Sequence, residues 1–359
     1  MPSISVIIPC YNVGKYIETA VNSILQQTFN DFELILVNDG STDNTLELCD
    51  HYASQDSRIR VSHSDKNNGV SNARNIGLEC VSGKYVFFCD GDDYIDNDAF
   101  EIMIKTSEEY NCDLLICGYS YEIHKIGKDN KLHIDNYPIC WDNNVFYSSK
   151  ELLKKDLIAL WNKSLMYNAC NKLYRLDIVK SHNILFSTNL IMGEDCDFTN
   201  QYFMHCNSFY VLSDHFYHYI RERIGSATSS YISDWFKIRL EEHERFINFF
   251  YNCGIYNSEA KEFVSRRFIE RVVGCIENEL NTTKNTVSLI KKVKNIKYMI
   301  SHLHTRESLK YAKLTSKKMQ IIVLPIRFNS VSMTYAVGML ISVVRKKLPD
   351  IFIKLKQSR

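Results

Sequence analysis

Residues 85–93 read YVFFCDGDD, an apolar run that ends in three carboxylates and one glycine. The run is rich in β-branched and aromatic residues, which is typical of a strand buried on both faces of a parallel sheet. Open α/β sheets bind their ligands at the carboxyl ends of such strands. The stretch therefore predicts an α/β fold with Asp90, Asp92 and Asp93 at the ligand-binding edge of the sheet.

The three acids would repel one another and lose hydration if they were partly buried. A divalent cation that prefers oxygen ligands, Mg²⁺ or Mn²⁺, would neutralise them and would commonly hold substrate phosphates as well. A solvated acidic turn is the simpler alternative, since Asp and Gly are common turn residues. Taken alone, the tetrad favours the metal site only modestly.

The first hundred residues alternate strand and helix patterns. Strands are predicted at residues 4–9, 32–37, 58–63 and 85–89, and helices at 16–27, from 42 onward and at 70–79. This order predicts a mainly parallel sheet with helices on both faces. Farther along, we expect a strand at 114–119, a hairpin or surface loop at 125–136 and a long helical segment from 234 to 280.

The bulk composition is that of a globular enzyme with room for about two domains. The 359 residues are 45% hydrophobic and 24% charged, and twelve cysteines are scattered without a Cys-x-x-Cys pair. The start of the chain lacks the pattern of a secretory signal, and no stretch reaches 18 uninterrupted apolar residues. We therefore expect a cytoplasmic protein without a transmembrane helix.

The net charge of +1 is unevenly distributed. Residues 284–359 contain 17 Lys and Arg against two acids, a net charge of +15, whereas residues 1–283 carry −14. Basic clusters alternate there with apolar blocks, which is typical of helices that lie on anionic membranes. A core helix or a nucleic-acid-binding segment is the alternative, but regular basic–aromatic interleaving is missing. We expect peripheral attachment to the inner face of the cell membrane and no nucleic-acid partner.

Further polar side chains follow the other predicted strands. Tyr11 comes just after the first strand, which ends at Pro9, and can stack on a flat ring. Asp39 ends the second strand and could accept a hydrogen bond from a nucleobase, and Arg74 offers a forked cation for phosphate. Each of them also has a structural alternative, as a core edge, a turn residue or a surface charge. Chance would not readily place all these groups along one sheet edge.

Four motifs in this order resemble the family 2 glycosyltransferases: SVIIPCYN at 5–12, VNDGSTD at 37–43, NGVSNARN at 68–75 and DGDD at 90–93. The resemblance implies an inverting enzyme with the GT-A fold and extends through GED at 193–195 to about residue 230. We therefore expect a catalytic domain at 1–230, with a nucleotide-binding half at 1–100 and an acceptor half at 101–230. A helical C-terminal region would follow at 231–359.

The resemblance also implies a role for each motif residue. The donor in this family is most often a UDP-sugar, with Tyr11 and Asp39 around the uracil and Arg74 near the diphosphate. Asp92 would contact Mn²⁺ or Mg²⁺ directly, and Asp90 and Asp93 are the further ligand candidates. The residues expected to bind the donor are Pro9, Tyr11, Asp39, Arg74, Asp90, Gly91 and Arg221. A surface salt bridge is an equal alternative for Arg221.

Transfer to an acceptor hydroxyl needs a carboxylate that takes its proton. By the resemblance this base is Asp195, and Glu194 orients the acceptor or the base. Capping of the helix that begins at Phe198 is the structural alternative for these acids and Asp197. The Gln-x-x-Arg-Trp motif of processive members is missing, so we expect transfer of one sugar.

The expected acceptor is a saccharide or lipid-linked saccharide of a bacterial surface polysaccharide such as capsule or O-antigen. Two other functions remain open at this point. A sugar nucleotidyltransferase would need a glycine-rich, basic loop after the first strand, where this chain has Pro9 to Asn12. A catalytically inactive nucleotide-sugar-binding or saccharide-binding protein would be expected to lack Asp92 or Asp195, and both are present.

Overall fold

The four predicted N-terminal strands form the parallel half of a large sheet. They are β1 (Ile4–Cys10), β2 (Phe32–Asp39), β3 (Ile59–Ser64) and β4 (Tyr85–Phe88), and the helices between them are α1 (Ile17–Leu25), α2 (Thr45–Gln55) and α3 (Val70–Cys80). Every residue of β1 is buried, as expected for a central strand covered on both faces. The strand order is β3-β2-β1-β4, so that β1 has its sequence neighbour β2 on one side and β4 on the other.

The computed structural model describes residues 1–126, 132–220, 231–280 and 288–347. Two units are distinguished within it: Met1–Ile224, here called the sheet unit, and Gly225–Arg359, here called the helical unit. The later strands of the sheet unit are β5 (Tyr94–Ile95), β6 (Leu114–Ile116), β7 (Tyr119–Ile126), β8 (Leu132–Ile139), β9 (Val145–Tyr147), β10 (Lys172–Arg175), β11 (Phe209–Val211) and β12 (Tyr217–Ile220). Its later helices are α4 (Ala99–Glu109), α5 (Lys150–Leu153), α6 (Leu157–Asn162), α7 (Leu176–Ser181) and α8 (Glu194–His205).

The large sheet continues beyond β4 in the order β10-β6-β11-β9. β10 runs antiparallel to both β4 and β6, and β9 is antiparallel to β11, whereas the other six strands point one way. The predicted α/β class with a mostly parallel sheet is therefore confirmed. The antiparallel insertion of β10 was not expected from the sequence.

A second sheet has the strand order β5-β12-β7-β8. The single strand expected at 114–119 is wrong, because the chain leaves the large sheet after Ile116 and enters the second sheet at Tyr119. Gly118 permits this crossing, since a Cβ there would lie 2.6 Å from the Ile139 carbonyl oxygen. The predicted hairpin is the antiparallel pair β7–β8, although its residues 127–131 lie outside the described part of the chain.

The helical unit contains α9 (Trp235–Asn252), α10 (Ser258–Glu279), α11 (Leu289–Ser301), α12 (Leu303–Tyr311), α13 (Lys317–Arg327) and α14 (Val331–Lys347). The long helix expected from 234 to 280 is two helices. The chain turns at Gly254, where φ is +71°, and the Asn257 side chain then accepts hydrogen bonds from the first N–H groups of α10.

One apolar core joins these helices. Phe268, Val272 and Ile276 of α10 pack in the same cluster as Ile296 of α11 and Val323 of α13. Part of the basic, apolar tail is therefore core-forming, which the charge pattern alone did not indicate. Within the described residues, no helix has the length and apolar character needed to cross a membrane.

Candidate active site

The site lies where β1 and β4 separate. Their pairing ends at Ile7 opposite Phe88, whereas β1 stays paired with β2 as far as Cys10. Pro9 has no N–H that could extend the ladder. Gly91 approaches this point closely, because a Cβ there would lie 3.2 Å from the Pro9 carbonyl oxygen. A crevice at the strand where the sheet changes its direction of growth is the usual ligand site of open α/β sheets.

Tyr11 and Asp39 lie at the ends of the neighbouring strands β1 and β2. Tyr11 is exposed, whereas Asp39 is buried. The Asp39 carboxylate accepts hydrogen bonds from the backbone N–H groups of Asn68 at 3.0 Å and Gly69 at 2.8 Å. Asp39 therefore fixes the loop that leads into α3, the helix that carries Arg74.

Arg74 joins two of the predicted acidic motifs. Its guanidinium is buried and donates through Nη2 to Asp90 at 2.8 Å and through Nη1 to Asp195 at 2.6 Å. Glu194 lies 3.9 Å from Nη1. One cation thus holds the acid after β4 and the acid at the start of α8 within one cluster. Both terminal nitrogens of Arg74 therefore have carboxylate partners, whereas its buried Nε has no hydrogen-bond partner among the described residues.

Charge within this cluster is unbalanced. Burial opposes the charge of Arg74, but Asp195 and Asp90 raise the pKa of its guanidinium well above the usual range. Burial raises the pKa of Asp195 to about 6, although Arg74 and the Ala169 backbone N–H, which donates to this carboxylate, act in the opposite direction. The negative charges of Glu194 and Asp90 add to the increase. Asp195 is therefore a carboxylate with the basicity of a proton acceptor at neutral pH.

The local structure does not favour helix capping as the role of Asp195. The N-cap residue of α8 is Gly193, which has a left-handed backbone with φ +84° and no side chain to cap with. Asp195 lies inside the first turn and its carboxylate meets Arg74, while Asp197 accepts from the Gln201 side chain at 2.9 Å. The acids remain favourably placed for the helix dipole, but the first-turn geometry points Asp195 into the cluster.

Asp93 is engaged differently from Asp90 and Asp92. It is buried, and its carboxylate accepts from the Tyr217 hydroxyl at 2.5 Å and from the Ile220 backbone N–H at 2.9 Å. Burial, together with the charges of Asp90 and Asp92, raises the pKa of Asp93 well above its usual range. Asp93 thus ties the acidic motif to β12, and Asp90 and Asp92 are left as the candidates for contact with a cation.

The donor set fits a divalent cation that is shared with a substrate. Asp92 is exposed and Asp90 is partly exposed at the end of β4, and both offer hard oxygen ligands. Within the described residues, no three Asp, Glu, His or Cys side chains converge on one point in a way that could hold a metal by themselves. Mg²⁺ is commonly bound by one or two carboxylates together with substrate phosphates, which is the arrangement that this pair permits.

Lys172 is a neighbour of the site that the sequence analysis missed. It is fully buried on β10, and its ammonium donates to the carbonyls of Leu165 at 2.7 Å and Asn168 at 2.5 Å and to the Asn171 side chain at 2.8 Å. Burial lowers the pKa of Lys172 to about 7. These bonds fix the loop that contains Ala169, the residue whose N–H reaches Asp195. In the sequence, the position of Lys172 between Asn171 and the apolar residues of a short strand could have indicated that this lysine is buried.

Tyr217 was also missed, because only the fold brings β12 to the acidic motif. Its hydroxyl donates to Asp93 and accepts from the Asp90 backbone N–H at 3.1 Å. Arg221, which was expected to reach the diphosphate, lies outside the described residues.

Comparison with known proteins shows which protein family the chain resembles. A model described as "Glycosyl transferase family 2" matches residues 5–182. The chain is 33% identical over 228 residues to the uncharacterized glycosyltransferase EpsJ of Bacillus subtilis, covering 64% of this chain and 63% of EpsJ. It is 30% identical over 238 residues to the poly(ribitol-phosphate) beta-N-acetylglucosaminyltransferase TarS of Staphylococcus aureus, covering 65% of this chain and 38% of TarS. The chain thus spans less than two thirds of the length of either relative.

Among solved structures, S. aureus TarS 1–349 in complex with UDP-GlcNAc has a TM-score of 0.64 at 22% identity, covering 94% of this chain and 90% of that chain. This similarity shows a shared GT-A fold. The family match and the curated relatives place the chain in glycosyltransferase family 2, as its motifs predicted.

Proposed function

We propose that the enzyme transfers one sugar from a UDP-sugar, with inversion, to a saccharide or lipid-linked saccharide acceptor in the synthesis of a bacterial surface polysaccharide. The observation that carries this proposal is the bridge formed by Arg74, 2.8 Å from Asp90 and 2.6 Å from Asp195. The bridge brings the acidic motif and the candidate base together at one end of the sheet. The relative TarS, which binds UDP-GlcNAc, supports the choice of a UDP-sugar.

In this proposal the two sides of the Arg74 bridge have different tasks. Asp92, assisted by Asp90, would hold Mn²⁺ or Mg²⁺, which when bound stabilises the negative charge that develops on the departing diphosphate. Tyr11 would stack on the uracil, and the backbone at Gly91 would border the donor. Arg74 would position Asp90 and Asp195 through its two terminal nitrogens and would lie near the diphosphate, as the family resemblance implies.

On the other side, Asp195 would take the proton of the acceptor hydroxyl as the new glycosidic bond forms. Its pKa of about 6 leaves it ionised at neutral pH and still basic enough to accept a proton. One base is sufficient for a single displacement, and attack opposite the leaving group inverts the anomeric centre. Glu194, next in sequence and 3.9 Å from Arg74, would orient the acceptor or Asp195.

The proposal is tested by measuring UDP release from a panel of UDP-sugars with and without Mn²⁺. We expect metal-dependent release from at least one donor, and we expect Asp92→Ala to remove it in a protein that remains folded. Glu79→Ala, which changes an exposed acid on α3, is the matched control. Release that is equal with and without metal, or an Asp92→Ala variant with wild-type rates at limiting Mn²⁺, would contradict the metal assignment. A chain that binds the donor without any release would be a binding protein.

We also propose that the helical unit attaches to an anionic membrane surface. Ile321 and Leu324 of α13 and Phe328, the residue that caps its C-terminus, are three or four residues apart and are 68%, 45% and 70% exposed. The exposed basic residues Lys317 and Arg327 stand at the two ends of this helix. An apolar stripe with basic residues beside it is the pattern of helices that lie in the interface of anionic membranes.

Surface substitutions test this membrane proposal better than a truncation. A chain cut after Lys318 would lose Met319, Val323 and Ile326 from the core of the helical unit. The triple change of Ile321, Leu324 and Phe328 to Ser should instead leave this core intact and reduce co-sedimentation with anionic vesicles. Tyr251→Ser, on the exposed side of α9, is the control. Equal sedimentation of the triple variant and the wild type would contradict membrane attachment through α13.

A further inference from the structure

Two neighbouring side chains at the start of β10 hold the loop that precedes this strand. This loop, residues 165–171, is here called the entry loop. The ammonium of Lys172 donates to the carbonyl oxygens of Leu165 at 2.7 Å and Asn168 at 2.5 Å. The Asn171 side chain donates to the same Leu165 carbonyl at 3.2 Å and accepts from Lys172 at 2.8 Å. Because Lys172 and Asn171 are buried, these bonds are shielded from competition with water.

Ala169 lies in the entry loop and is bound through both of its backbone polar groups. Its N–H donates to the Asp195 carboxylate, and its carbonyl accepts from the Tyr174 hydroxyl at 3.3 Å. The Thr199 hydroxyl lies 3.2 Å from that of Tyr174, and Thr199 follows Asp195 by about one turn of α8. Tyr174 therefore joins the entry loop to the helix that carries the candidate base.

The N–H of Ala169 favours the ionised form of Asp195. A hydrogen bond to the charged form of a carboxyl group lowers its pKa, and Arg74 acts in the same direction. Burial and the negative charges of Glu194 and Asp90 raise the pKa of Asp195 against both. If the entry loop moved and the N–H left the carboxylate, Asp195 would keep its proton up to a higher pH. A smaller fraction of the enzyme could then accept a proton at neutral pH.

Cys170, Lys172 and Tyr174 are ionisable groups whose pKa values depend on Asp195. The Cys170 thiol and the Tyr174 hydroxyl stay neutral around pH 7, because burial raises the pKa of each well above its usual range. Lys172 differs, since burial lowers its pKa to about 7 and the charge of Asp195 acts against this decrease. The ammonium in turn favours the ionised form of Asp195. Lys172 can therefore affect Asp195 both through the position of the loop and through its charge.

We propose that Lys172 and Tyr174 are positioning residues for the transfer reaction, which hold the entry loop so that the Ala169 N–H stays on the Asp195 carboxylate. The inference rests on the proposed function, in which Asp195 takes the acceptor proton, and it names two groups that keep this base ionised. Both side chains are fully buried, so they act on the base through the loop and not on the substrate.

Two substitutions test the proposal, Lys172→Met and Tyr174→Phe. The first removes the donors of the loop together with a charge, whereas the second removes one neutral hydroxyl and keeps the ring that packs against Phe198 and Tyr202. In both variants the midpoint at which kcat for UDP release rises with pH should move from about pH 6 to about pH 7. The rate should therefore fall about fivefold at pH 6 and change little at pH 8. The donor KM and the Kd for UDP should keep their wild-type values.

The pKa of Asp195 is also measured directly, by ¹³C NMR of the full chain labelled at its aspartate carboxyl carbons. Asp195→Asn identifies the Asp195 signal. In both variants the pKa of this carboxyl should rise from about 6 in the wild type to about 7. This measurement needs no substrate. A merely structural role of the two side chains would lower the unfolding temperature without moving the pKa of Asp195.

Tyr147→Phe and Lys292→Met are the matched controls. Tyr147 is a buried tyrosine whose hydroxyl donates to Asp156 at 2.9 Å, away from the entry loop. Lys292 is a buried lysine of the helical unit. Each control removes the same chemical group as its counterpart and should keep the wild-type pH profile and the wild-type pKa of Asp195.

An Asp195 pKa that stays at its wild-type value in Tyr174→Phe would overturn the inference. A rise in Lys172→Met alone would do the same, because Lys172 would then act by its charge. If Lys172→Met does not fold, Tyr174→Phe decides by the same criteria. A pKa that rises in both variants, while the wild type releases no UDP from any donor, would refute the proposed function and leave the positioning contacts standing. A wild type that releases UDP, with variants that keep the wild-type pKa, would show the opposite.

Discussion

The sheet unit and the helical unit each bury a cluster of arginine and carboxylate groups, but in opposite proportions. In the sheet unit a single guanidinium, that of Arg74, meets the carboxylates of Asp90 and Asp195, with Glu194 at 3.9 Å. In the helical unit a single carboxylate meets three arginines. Among these groups, carboxylates outnumber guanidinium groups in the first cluster, and guanidinium groups outnumber carboxylates in the second.

The carboxylate of the second cluster is Glu242 on α9. It accepts from Arg239 and from Arg267, each at 2.7 Å, and lies 3.8 Å from Arg271. Burial alone would raise the pKa of Glu242, but the charges of Arg267, Arg271 and Arg239 lower it to about 2. Glu242 is thus ionised at neutral and mildly acidic pH.

This difference in the proportion of acids and arginines distinguishes Asp195, an acid that can exchange a proton, from Glu242, an acid that stabilises the fold. With acids in excess, Asp195 has a raised pKa and the site gains from an added cation. With three arginines around it, Glu242 has a lowered pKa and therefore no proton to exchange near neutral pH. Two conservative substitutions should therefore produce opposite losses, one of activity and one of stability.

The largest expected effect is the loss of transfer activity in Asp195→Asn. The change keeps the size of the side chain and removes its basicity, so transfer should slow by about a hundredfold or more while donor binding persists. In the wild type the rate should rise with pH as Asp195 loses its proton around its pKa of about 6, and the variant should lack this rise. The measurement is kcat across pH together with the Kd for UDP.

Asp197→Asn, two residues farther along α8, is the matched control and should keep the wild-type rate and pH profile. Thermal unfolding should show no loss of stability in Asp195→Asn, since Arg74 keeps Asp90 as a partner. If transfer persists at a near-normal rate, the base lies elsewhere and Glu194 becomes the candidate. If stability falls instead, Asp195 belongs with Glu242 as a structural ion and the contrast between the clusters disappears.

Compared with Asp195→Asn, Glu242→Gln should have the smaller effect on activity and the larger effect on stability. Removing this charge breaks the buried ion pairs of Glu242 with Arg239 and Arg267, and breaking such a pair costs about 3–5 kcal/mol of unfolding free energy. The folded pKa of about 2 lies below the ordinary value of 4.5, so the contribution of Glu242 is present above pH 4.5 and is lost as the pH falls toward 2.

Urea unfolding of the full chain, followed by circular dichroism at several pH values, measures this contribution. The difference between variant and wild type should shrink from pH 5 toward pH 3, since Glu242 of the unfolded chain gains its proton first. Glu241→Gln, at the exposed neighbouring position, should change little. A stability of Glu242→Gln equal to that of the control would show that the ion pairs contribute nothing net.

Much of the sheet unit could be predicted because its strands and site residues are marked by short, continuous stretches of sequence. The apolar runs of β1 to β4 and the polar residues at their ends follow the chain order, so sequence pattern alone places Tyr11, Asp39 and Asp90 at one edge. The bridge by Arg74 was not predictable, because a forked cation in α3 suits a phosphate as well as two carboxylates. Only the folded chain shows which partner it meets.

The missed features depend on contacts between distant parts of the sequence. β10 is short and lies in a mixed segment, and its place between β4 and β6 is fixed by pairing with strands about 60 to 90 positions earlier. The role of Lys172 follows from that placement. Asp93 was grouped with Asp90 and Asp92 because they are adjacent, whereas its partners Tyr217 and Ile220 lie more than 120 residues away. In the basic C-terminal tail, the sequence showed the excess of positive charge but did not show which apolar residues pack into the core.

The insertion of β10 also limits how this enzyme can be recombined. Because β10 pairs with β4 on one side and β6 on the other, it supplies a hydrogen-bonding partner for the last of the four N-terminal parallel strands. A chimera that exchanges everything after residue 100 would import a foreign strand against β4, and a fragment that stops there would expose a strand edge prone to aggregation. Exchange of the β7–β8 hairpin, by contrast, leaves the large sheet unbroken, because both strands belong to the second sheet.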